Sequence, residues 1–143
     1  MIQRDKTTNL EVTRLAVDLK NRFPEILFAY LFGSAKTGIV RSGSDVDVAI
    51  WIGNFDRKLE LIPGVVGLLE SHSGGIPCDL VFLNDAGEQL AFEVLQGTIL
   101  FIREEARDLH AGFYSRICRE YEDRIFWMKK QLQYRGYEVQ WSD

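Results

Sequence analysis

The sequence has few of the residues from which disulfide frameworks and zinc sites are built. It contains two cysteines, Cys78 and Cys118, and two histidines, His72 and His110. The cysteines are far apart and have no neighbouring ligand residues, which argues against a disulfide framework and against a zinc site. Neither histidine has a cluster of Cys, His or Asp around it, so we expect both to be structural or surface residues. This composition is typical of a reduced, cytoplasmic protein.

Long hydrophobic runs and an excess of positive charge are also missing. No stretch of about 18 apolar residues occurs, so the sequence predicts no membrane span. The first residues lead into a polar segment, and we expect no secretion signal. The net charge of −4 argues against nucleic acid as a direct partner.

Basic residues do gather in the C-terminal third of the chain, where acidic residues dilute them. We interpret this stretch as a solvated helix face of mixed charge. The basic residues are Arg116, Arg119, Arg124, Lys129, Lys130 and Arg135, and the acidic ones are Glu120, Glu122 and Asp123.

With 143 residues, 46% of them hydrophobic, the sequence suits a single domain over residues 1–143. Periodicity predicts a helix over 9–22, opened by a Thr8–Glu11 capping box and ended by Pro24. Further helices are predicted over 56–71 (with a break at Pro63-Gly64), over 86–96 (capped by Asn84 or Asp85 and closed by Gly97) and over 108–135. Strands are predicted over 25–32, 45–52, 78–83 and 98–102, and residues 35–44 are expected to form a turn or loop. The order of elements indicates an α/β or α+β domain, a sheet of about four strands with helices packed on it.

The strand over residues 45–52 has two different faces, because side chains alternate along a strand. Asp45 and Asp47 share one face with Trp51, for which we favour packing under the last helix over stacking on a base. The opposite face is aliphatic. Its residues are Val46, Val48, Ile50 and Ile52.

The informative feature is a glycine–serine pair followed, after ten residues, by two aspartates that alternate. Gly33, directly after an apolar run, lets the backbone turn sharply and approach a ligand closely. Backbone N–H groups at this turn and the Ser34 hydroxyl suit phosphate oxygens. Asp45 and Asp47 place two carboxylates side by side, and such hard oxygen ligands suit magnesium, which also takes substrate phosphates as ligands.

Asp79 opens the third predicted strand. If that strand lies beside residues 45–52, three carboxylates can hold two ions about 3.5–4 Å apart, the arrangement used for in-line attack on phosphorus. Singly, each feature has a simpler interpretation, since an Asp-x-Asp pair is usually a solvated sheet face and a glycine–serine pair is usually a turn. We favour the functional interpretation because all of them lie at strand ends on one side of the predicted sheet.

Several of these segments resemble the signature of the DNA polymerase β-like nucleotidyltransferase superfamily. They are Leu31-Phe32-Gly33-Ser34, Gly38 and Ser44-Asp45-Val46-Asp47-Val48, together with the segments that begin at Asp79 and Val94. The resemblance spans residues 30–101. The short length is similar to that of the minimal nucleotidyltransferases (MNT), the antitoxin half of HEPN/MNT toxin–antitoxin pairs.

This resemblance implies a mixed sheet with helices on one side, and it implies roles for particular residues. Gly33 and Ser34 would bind the phosphates of the nucleotide, and Asp45 and Asp47 would hold the metal ions. Asp79 would be the third metal carboxylate and would help to deprotonate the attacking hydroxyl. Many relatives carry an arginine before the glycine, where this chain has Lys36 and Thr37. Either Lys36 or Arg41 can offset the triphosphate charge, and the sequence does not decide between them.

The sequence-based hypothesis is therefore transfer of AMP from ATP to a hydroxyl, with two magnesium ions held by the three aspartates. The resemblance suggests that the hydroxyl belongs to a tyrosine of a HEPN-type ribonuclease toxin, whose neutralisation would make this chain an antitoxin. Two alternatives stay open. One is an antitoxin that only binds its toxin, and the other is an enzyme that adenylylates a small molecule such as an aminoglycoside.

Overall fold

The computed structural model describes residues 7–41 and 43–136, without the side chains of Thr7 and Thr8. Six strands occur in this part: β1 (Thr7–Asn9), β2 (Ile26–Phe32), β3 (Ile39–Arg41), β4 (Val46–Ile52), β5 (Cys78–Phe82) and β6 (Thr98–Ile102). The helices are α1 (Val12–Arg22), α2 (Lys58–Ser73), α3 (Glu88–Leu95) and α4 (Arg107–Tyr134). The tail residues Tyr137, Val139 and Trp141 lie outside the described residues.

The main sheet has four strands in the order β5-β4-β2-β6. Strand β2 pairs antiparallel with both β4 and β6, whereas β4 and β5 are parallel. The predicted mixed four-strand sheet is thereby confirmed. A parallel pair requires a crossover connection, and α2 supplies it between β4 and β5.

Helices cover both faces of this sheet, so the expectation of helices on one side only was wrong. The aliphatic face of β4 packs against buried residues of α1 and α2, among them Leu15, Leu19, Val65 and Leu69. The opposite face packs against α3 and α4 through Ala91, Val94, Phe113 and Ile117. Strand β2 is buried along nearly its whole length and has apolar side chains on both faces, so each face of the sheet needs a covering layer.

The short strands β1 and β3 were not predicted. Thr8 lies in β1 and does not form the predicted capping box with Glu11. Thr8 pairs with Val40 in the β1–β3 ladder, and α1 begins at Val12 without a side-chain cap from Glu11. Strands of three residues are too short to show an alternating pattern. Their pairing is a tertiary contact across about thirty residues of chain.

The predicted break at Pro63 does not occur, since α2 runs through it from Lys58 to Ser73. Leu61 and Val65, on either side of the proline, are both buried against the sheet. A Cβ at Gly64 would lie 3.2 Å from the Phe23 ring, so the helix packs closely on this aromatic residue. Packing along the helix outweighs the loss of one backbone hydrogen bond.

Asn84 does not cap α3, whose first residue is Glu88 and whose cap position is Gly87. Its side chain instead accepts a hydrogen bond from the Ile52 backbone N–H at 3.0 Å and donates one to the Ile52 carbonyl at 2.8 Å. This pair of bonds ties the end of β4 to the segment that follows β5. Within the described residues, no helix is both long enough and apolar enough to cross a membrane.

Candidate active site

The glycine–serine pair forms a tight turn at the end of β2. Residues 33–35 make a single 3₁₀ turn, and Gly33 has a φ of +74°. A Cβ at Gly33 would lie 2.3 Å from Oδ2 of Asp47, which is far inside van der Waals contact. Glycine is therefore required here twice, for its backbone angle and for the space that the carboxylate fills.

Two of the predicted carboxylates meet directly. Asp47 in β4 and Asp79 in β5 are register partners in the parallel pair, and their side chains share a hydrogen bond. Asp45 lies just before β4 and is exposed, whereas Asp47 is half-buried. The sequence predicted three neighbouring carboxylates on the condition that Asp79 lies beside residues 45–52. The structure meets this condition.

The acidic groups act on one another. Partial burial raises the pKa of Asp47, and the negative charges of Asp79, Asp45 and Glu93 raise it further. A hydrogen bond that the protonated Asp47 carboxyl donates to the Asp79 carboxylate also raises this pKa. Several carboxylates held close together favour a proton or a cation between them, because either one relieves their repulsion.

No group of three or more Cys, His, Asp or Glu residues in the described part of the chain is already arranged to hold a metal ion. The chemistry of the Asp47–Asp79 pair nevertheless fits magnesium, because both are hard oxygen donors and magnesium completes its shell with waters and substrate phosphates. The residues that would hold it are the predicted Asp45, Asp47 and Asp79.

A cavity of about 340 Å³ lies beside the glycine–serine turn, lined by Ser34, Thr37, Ile39, Arg41 and Ser44. Its lining includes two of the predicted nucleotide-binding residues, Ser34 and Arg41. Arg41 is part of the lining, whereas Lys36 is exposed and is not part of it.

The comparisons with known proteins agree with this geometry. Residues 16–106 match the family model described as "Polymerase beta, Nucleotidyltransferase". The chain belongs to this nucleotidyltransferase family. The match covers the glycine–serine turn and all three aspartates of the site. No curated protein sequence is significantly similar to the chain.

Solved structures share the fold of this nucleotidyltransferase. One is the MntA antitoxin complex in a form with two aspartates, two positions apart, replaced by glutamates (TM-score 0.61, 22% identity, 87% of this chain and 94% of that one). Another is a toxin–antitoxin structure with AMP-PNP (TM-score 0.59, 22% identity, the same coverage). A third is the tri-AMPylated HEPN toxin of Shewanella oneidensis in complex with MNT antitoxin (TM-score 0.52, 20% identity, 85% of this chain and 90% of that one). The fold of the nucleotidyltransferase is thus that of the MNT antitoxins.

Sequence reasoning missed three residues of this site. Glu93, in α3, is a fourth acidic group whose charge reaches Asp47. Gly97 lies so close to β2 that a Cβ there would be 2.3 Å from the Leu31 carbonyl oxygen. The Thr98 hydroxyl donates a hydrogen bond to the Lys36 carbonyl. The only sequence signal was the family-like segment around Gly97, which gave these residues no role.

The aromatic and histidine residues have structural contacts. Trp51 stacks on Phe28, with ring centroids 5.5 Å apart, and meets Phe113 of α4 edge-on, so the expected packing under the last helix is confirmed. His72 lies 2.8 Å from the Asp18 carboxylate. His110 is hydrogen-bonded to the Tyr30 hydroxyl, and burial raises the pKa of that tyrosine to about 12.

Proposed function

We propose that this nucleotidyltransferase transfers AMP from ATP to a tyrosine hydroxyl of a HEPN-type toxin and thereby neutralises it as an antitoxin. The observation that carries the proposal is the pairing of Asp47 with Asp79 in register, directly beside the Gly33 turn. This arrangement brings a phosphate-binding turn and a set of mutually repelling carboxylates to one end of the sheet. It is the combination that nucleotidyl transfer requires.

The phosphates of ATP would lie over the Gly33-Ser34 turn, within reach of the Ser34 hydroxyl and the Arg41 guanidinium. The cavity that Ser34 and Arg41 line, of about 340 Å³, has room for part of the triphosphate. Magnesium, held by Asp45, Asp47 and Asp79, would neutralise charge on the phosphates and lower the barrier to attack on phosphorus. The raised pKa of Asp47 supports this role, since a cation relieves the repulsion that raises it.

In the proposed step, the tyrosine oxygen forms a bond to the α-phosphorus of ATP. The bond between that phosphorus and the oxygen bridging to the β-phosphate breaks, and pyrophosphate leaves. The proton of the hydroxyl passes to the Asp79 carboxylate, which is exposed and lies next to Asp47. Most of the rate enhancement comes from positioning and from neutralising charge.

A protein acceptor is favoured by the architecture of the chain. The elements of the described residues form the main sheet, the short β1–β3 ladder and the helices that cover the main sheet, and none of them forms a separate lobe over the carboxylates. An acceptor then has to bring its own structure to the site, as a folded partner does. One of the solved structures with this fold holds a tri-AMPylated HEPN toxin in complex with an MNT antitoxin, which supports such a partner. An added AMP would place negative charge and bulk on the toxin and hinder its binding of RNA.

The deciding experiment combines the purified chain, ATP, magnesium and the protein encoded by the neighbouring gene. Mass spectrometry of the partner is expected to show a gain of one or more AMP units on a tyrosine. The matched control is the Asp45→Asn, Asp47→Asn double variant, which keeps the shape of both side chains and removes their charge. A partner that is neutralised without any gain in mass, by parent and double variant alike, would establish the binding-only antitoxin instead.

A further inference from the structure

The second half of α4 differs from the rest of the molecule in exposure. The first half is anchored by Phe113 and Ile117, which are buried, and by Tyr121, whose ring stacks on Phe92 with centroids 3.6 Å apart. Beyond this point lie residues 124–135, which we call the distal segment; they form the last turns of the helix and include Arg135 directly after it. Five of its large apolar residues are exposed, and Trp127 and Tyr134 are 65% and 94% exposed. These exposed residues are Phe126, Trp127, Met128, Leu132 and Tyr134.

The charge of the distal segment also sets it apart. It contains no acidic residue. Its four basic residues are Arg124, Lys129, Lys130 and Arg135. Since the whole chain has 17 basic and 21 acidic residues, the remainder carries 13 basic and 21 acidic residues, a net charge of −8. The mixed-charge interpretation of the C-terminal third therefore does not hold for residues 124–135. Every charged side chain of this stretch is basic, and most of the other residues are apolar.

The direction of α4 brings this surface towards the carboxylates. Phe113 packs against Trp51, at the end of β4 that is remote from the acidic pair. Eight residues later Tyr121 stacks on Phe92, and the next residue of α3, Glu93, acts electrostatically on the site. From Phe113 to Tyr121, α4 therefore runs towards the end of the sheet that holds the acidic pair. At about 1.5 Å per residue, the distal segment extends some 20 Å beyond Tyr121.

We infer that the distal segment is the docking surface for the protein that supplies the hydroxyl, and that this protein presents an acidic surface with an apolar centre. The inference rests on the proposed function and names the surface that selects the partner. A hollow of about 340 Å³, lined by Trp127, Met128, Gln131, Leu132 and Arg135, offers a seat for an apolar side chain. The basic residues around it would pair with carboxylates of the partner, which speeds encounter and excludes basic proteins.

A second copy of this chain fits the distal segment poorly. In a symmetric dimer the same patch meets itself, so four positive charges would face four positive charges without an acidic residue between them. Like charges opposed across an interface weaken association strongly.

A lipid surface also fits the distal segment poorly. Helices that lie on membranes keep basic and apolar residues on opposite faces. At 3.6 residues per turn, consecutive residues such as Phe126, Trp127 and Met128 point in three directions, with basic residues between them. The Lys130 ammonium even lies 5.5 Å from the centre of the Phe126 ring. Such interleaving suits a contoured protein surface.

The test measures three quantities on the same variants: binding of the protein encoded by the neighbouring gene by titration calorimetry, its gain of AMP by mass spectrometry, and binding of Mg-ATP. One variant is Trp127→Ala, and the other is Lys130→Glu with Arg135→Glu. The matched control is Lys20→Glu with Arg22→Glu, which makes the same change in charge on α1, against the other face of the sheet.

We expect both distal variants to bind the partner about tenfold more weakly or worse, to transfer less AMP to it, and to bind Mg-ATP like the parent. The charge variant should also lose most of the salt dependence of binding. The control should behave like the parent. Distal variants that bind the partner as the parent does overturn the inference.

Vesicles of phosphatidylserine and phosphatidylcholine test the lipid alternative. If the distal variants lose binding to these vesicles while partner binding is unchanged, the inference is also overturned. A partner that docks through the distal segment but gains no AMP supports the docking surface and overturns the proposed function, so the two failures can be told apart.

Discussion

The two ends of the central strands β2 and β4 have opposite character. At one end Phe32 pairs with Asp47, and at the other Phe28 pairs with Trp51. The first, the carboxylate end, holds Gly33 and the acidic groups around Asp47. The second, the aromatic end, is closed by contacts of Phe28 and Trp51 with His110 and Phe113 of α4.

Along the same two strands, one end contributes mainly to stability and the other holds the candidate active site. Aromatic pairs at one end bury large surfaces and stabilise the sheet. Carboxylates at the other end repel one another and add little to stability until a cation is present. The lesson is that a small domain can hold a strained, charged site at one end of a strand when the other end is well packed. Changes at the carboxylate end should therefore alter transfer more than folding, and changes at the aromatic end should do the reverse.

The largest effect is expected from replacing both aspartates at the carboxylate end, Asp45→Asn with Asp47→Asn. Transfer should fall by about a thousandfold or more, because metal and phosphate contacts contribute several kcal/mol to such reactions. The thermal midpoint at neutral pH should stay the same or rise, because the raised pKa of Asp47 means that its ionisation opposes folding. Differential scanning calorimetry without magnesium, beside an AMP-transfer assay, checks both parts. A variant that is inactive only because it is unfolded would contradict the contrast.

The second effect is expected from Gly33→Ala. The added methyl group would meet Oδ2 of Asp47 at 2.3 Å, so the carboxylate has to move, and transfer should fall by about a hundredfold. The matched control is Gly74→Ala, since Gly74 also has a positive φ, +65°, but has open space around its missing Cβ. Both variants should lose a similar amount of stability, of the order of 1–2 kcal/mol. Equal loss of transfer in both would mean that backbone strain alone is responsible and that the contact with Asp47 is unimportant.

The third effect concerns Ser34→Ala. The hydroxyl would contribute one hydrogen bond to a charged phosphate, worth about 1.5–3 kcal/mol, so transfer should fall roughly ten- to a hundredfold. This loss should be smaller than that of the Asp47→Asn variant measured in the same assay. A loss as large as that of Asp47→Asn would assign Ser34 a greater role than binding phosphate.

Much of this site could be predicted from the sequence because its residues lie in short segments with recognisable patterns. The turn at Gly33 and the alternation of Asp45 and Asp47 are local, and periodicity alone gives the face on which they lie. Asp79 could be predicted only conditionally, since the pairing of β5 with β4 and its parallel direction are tertiary facts. The positions that were missed depend on the same kind of contact. Thr98 meets Lys36 across 62 positions of the chain.

The fold shows the same division. Long periodic segments such as β2 and α4 were predicted nearly to their ends, because their own burial pattern defines them. The errors arose where a contact elsewhere in the chain overrides a local signal. Thr8 pairs with β3, Asn84 binds the Ile52 backbone, and α2 continues through Pro63 because its flanking residues are buried. Local propensity is a weak guide at such positions.

The fourth effect is expected from Thr98→Val, a change that keeps the shape of the side chain. It removes the hydrogen bond to the Lys36 carbonyl and leaves the end of the glycine–serine turn less firmly held. One hydrogen bond of about 1 kcal/mol corresponds to roughly a fivefold effect, which should appear in KM for ATP more than in kcat. Thr98→Ser keeps the hydroxyl and should restore KM. If serine fails to do so, the methyl group of Thr98 matters and the hydrogen bond does not.

The smallest effect is expected at the aromatic end, from His110→Gln. Burial lowers the pKa of His110 below its usual value of 6.5, so the folded state favours the neutral ring. The unfolded chain then binds more protons as the pH falls below that value, and the folded state loses stability in acid. In the Gln variant this contribution is absent. Between pH 7 and pH 5, the free energy of unfolding should therefore change less in the Gln variant than in the parent. The difference between the two changes should be less than about 1 kcal/mol, because the ring is partly solvated. Transfer of AMP at neutral pH should be the same in both.

Urea titrations at several pH values measure the difference in the free energy of unfolding, and His72→Gln is the control for the loss of a histidine elsewhere. If His110→Gln lowers transfer at neutral pH instead, the two ends of the strands are coupled and the separation of stability from function fails.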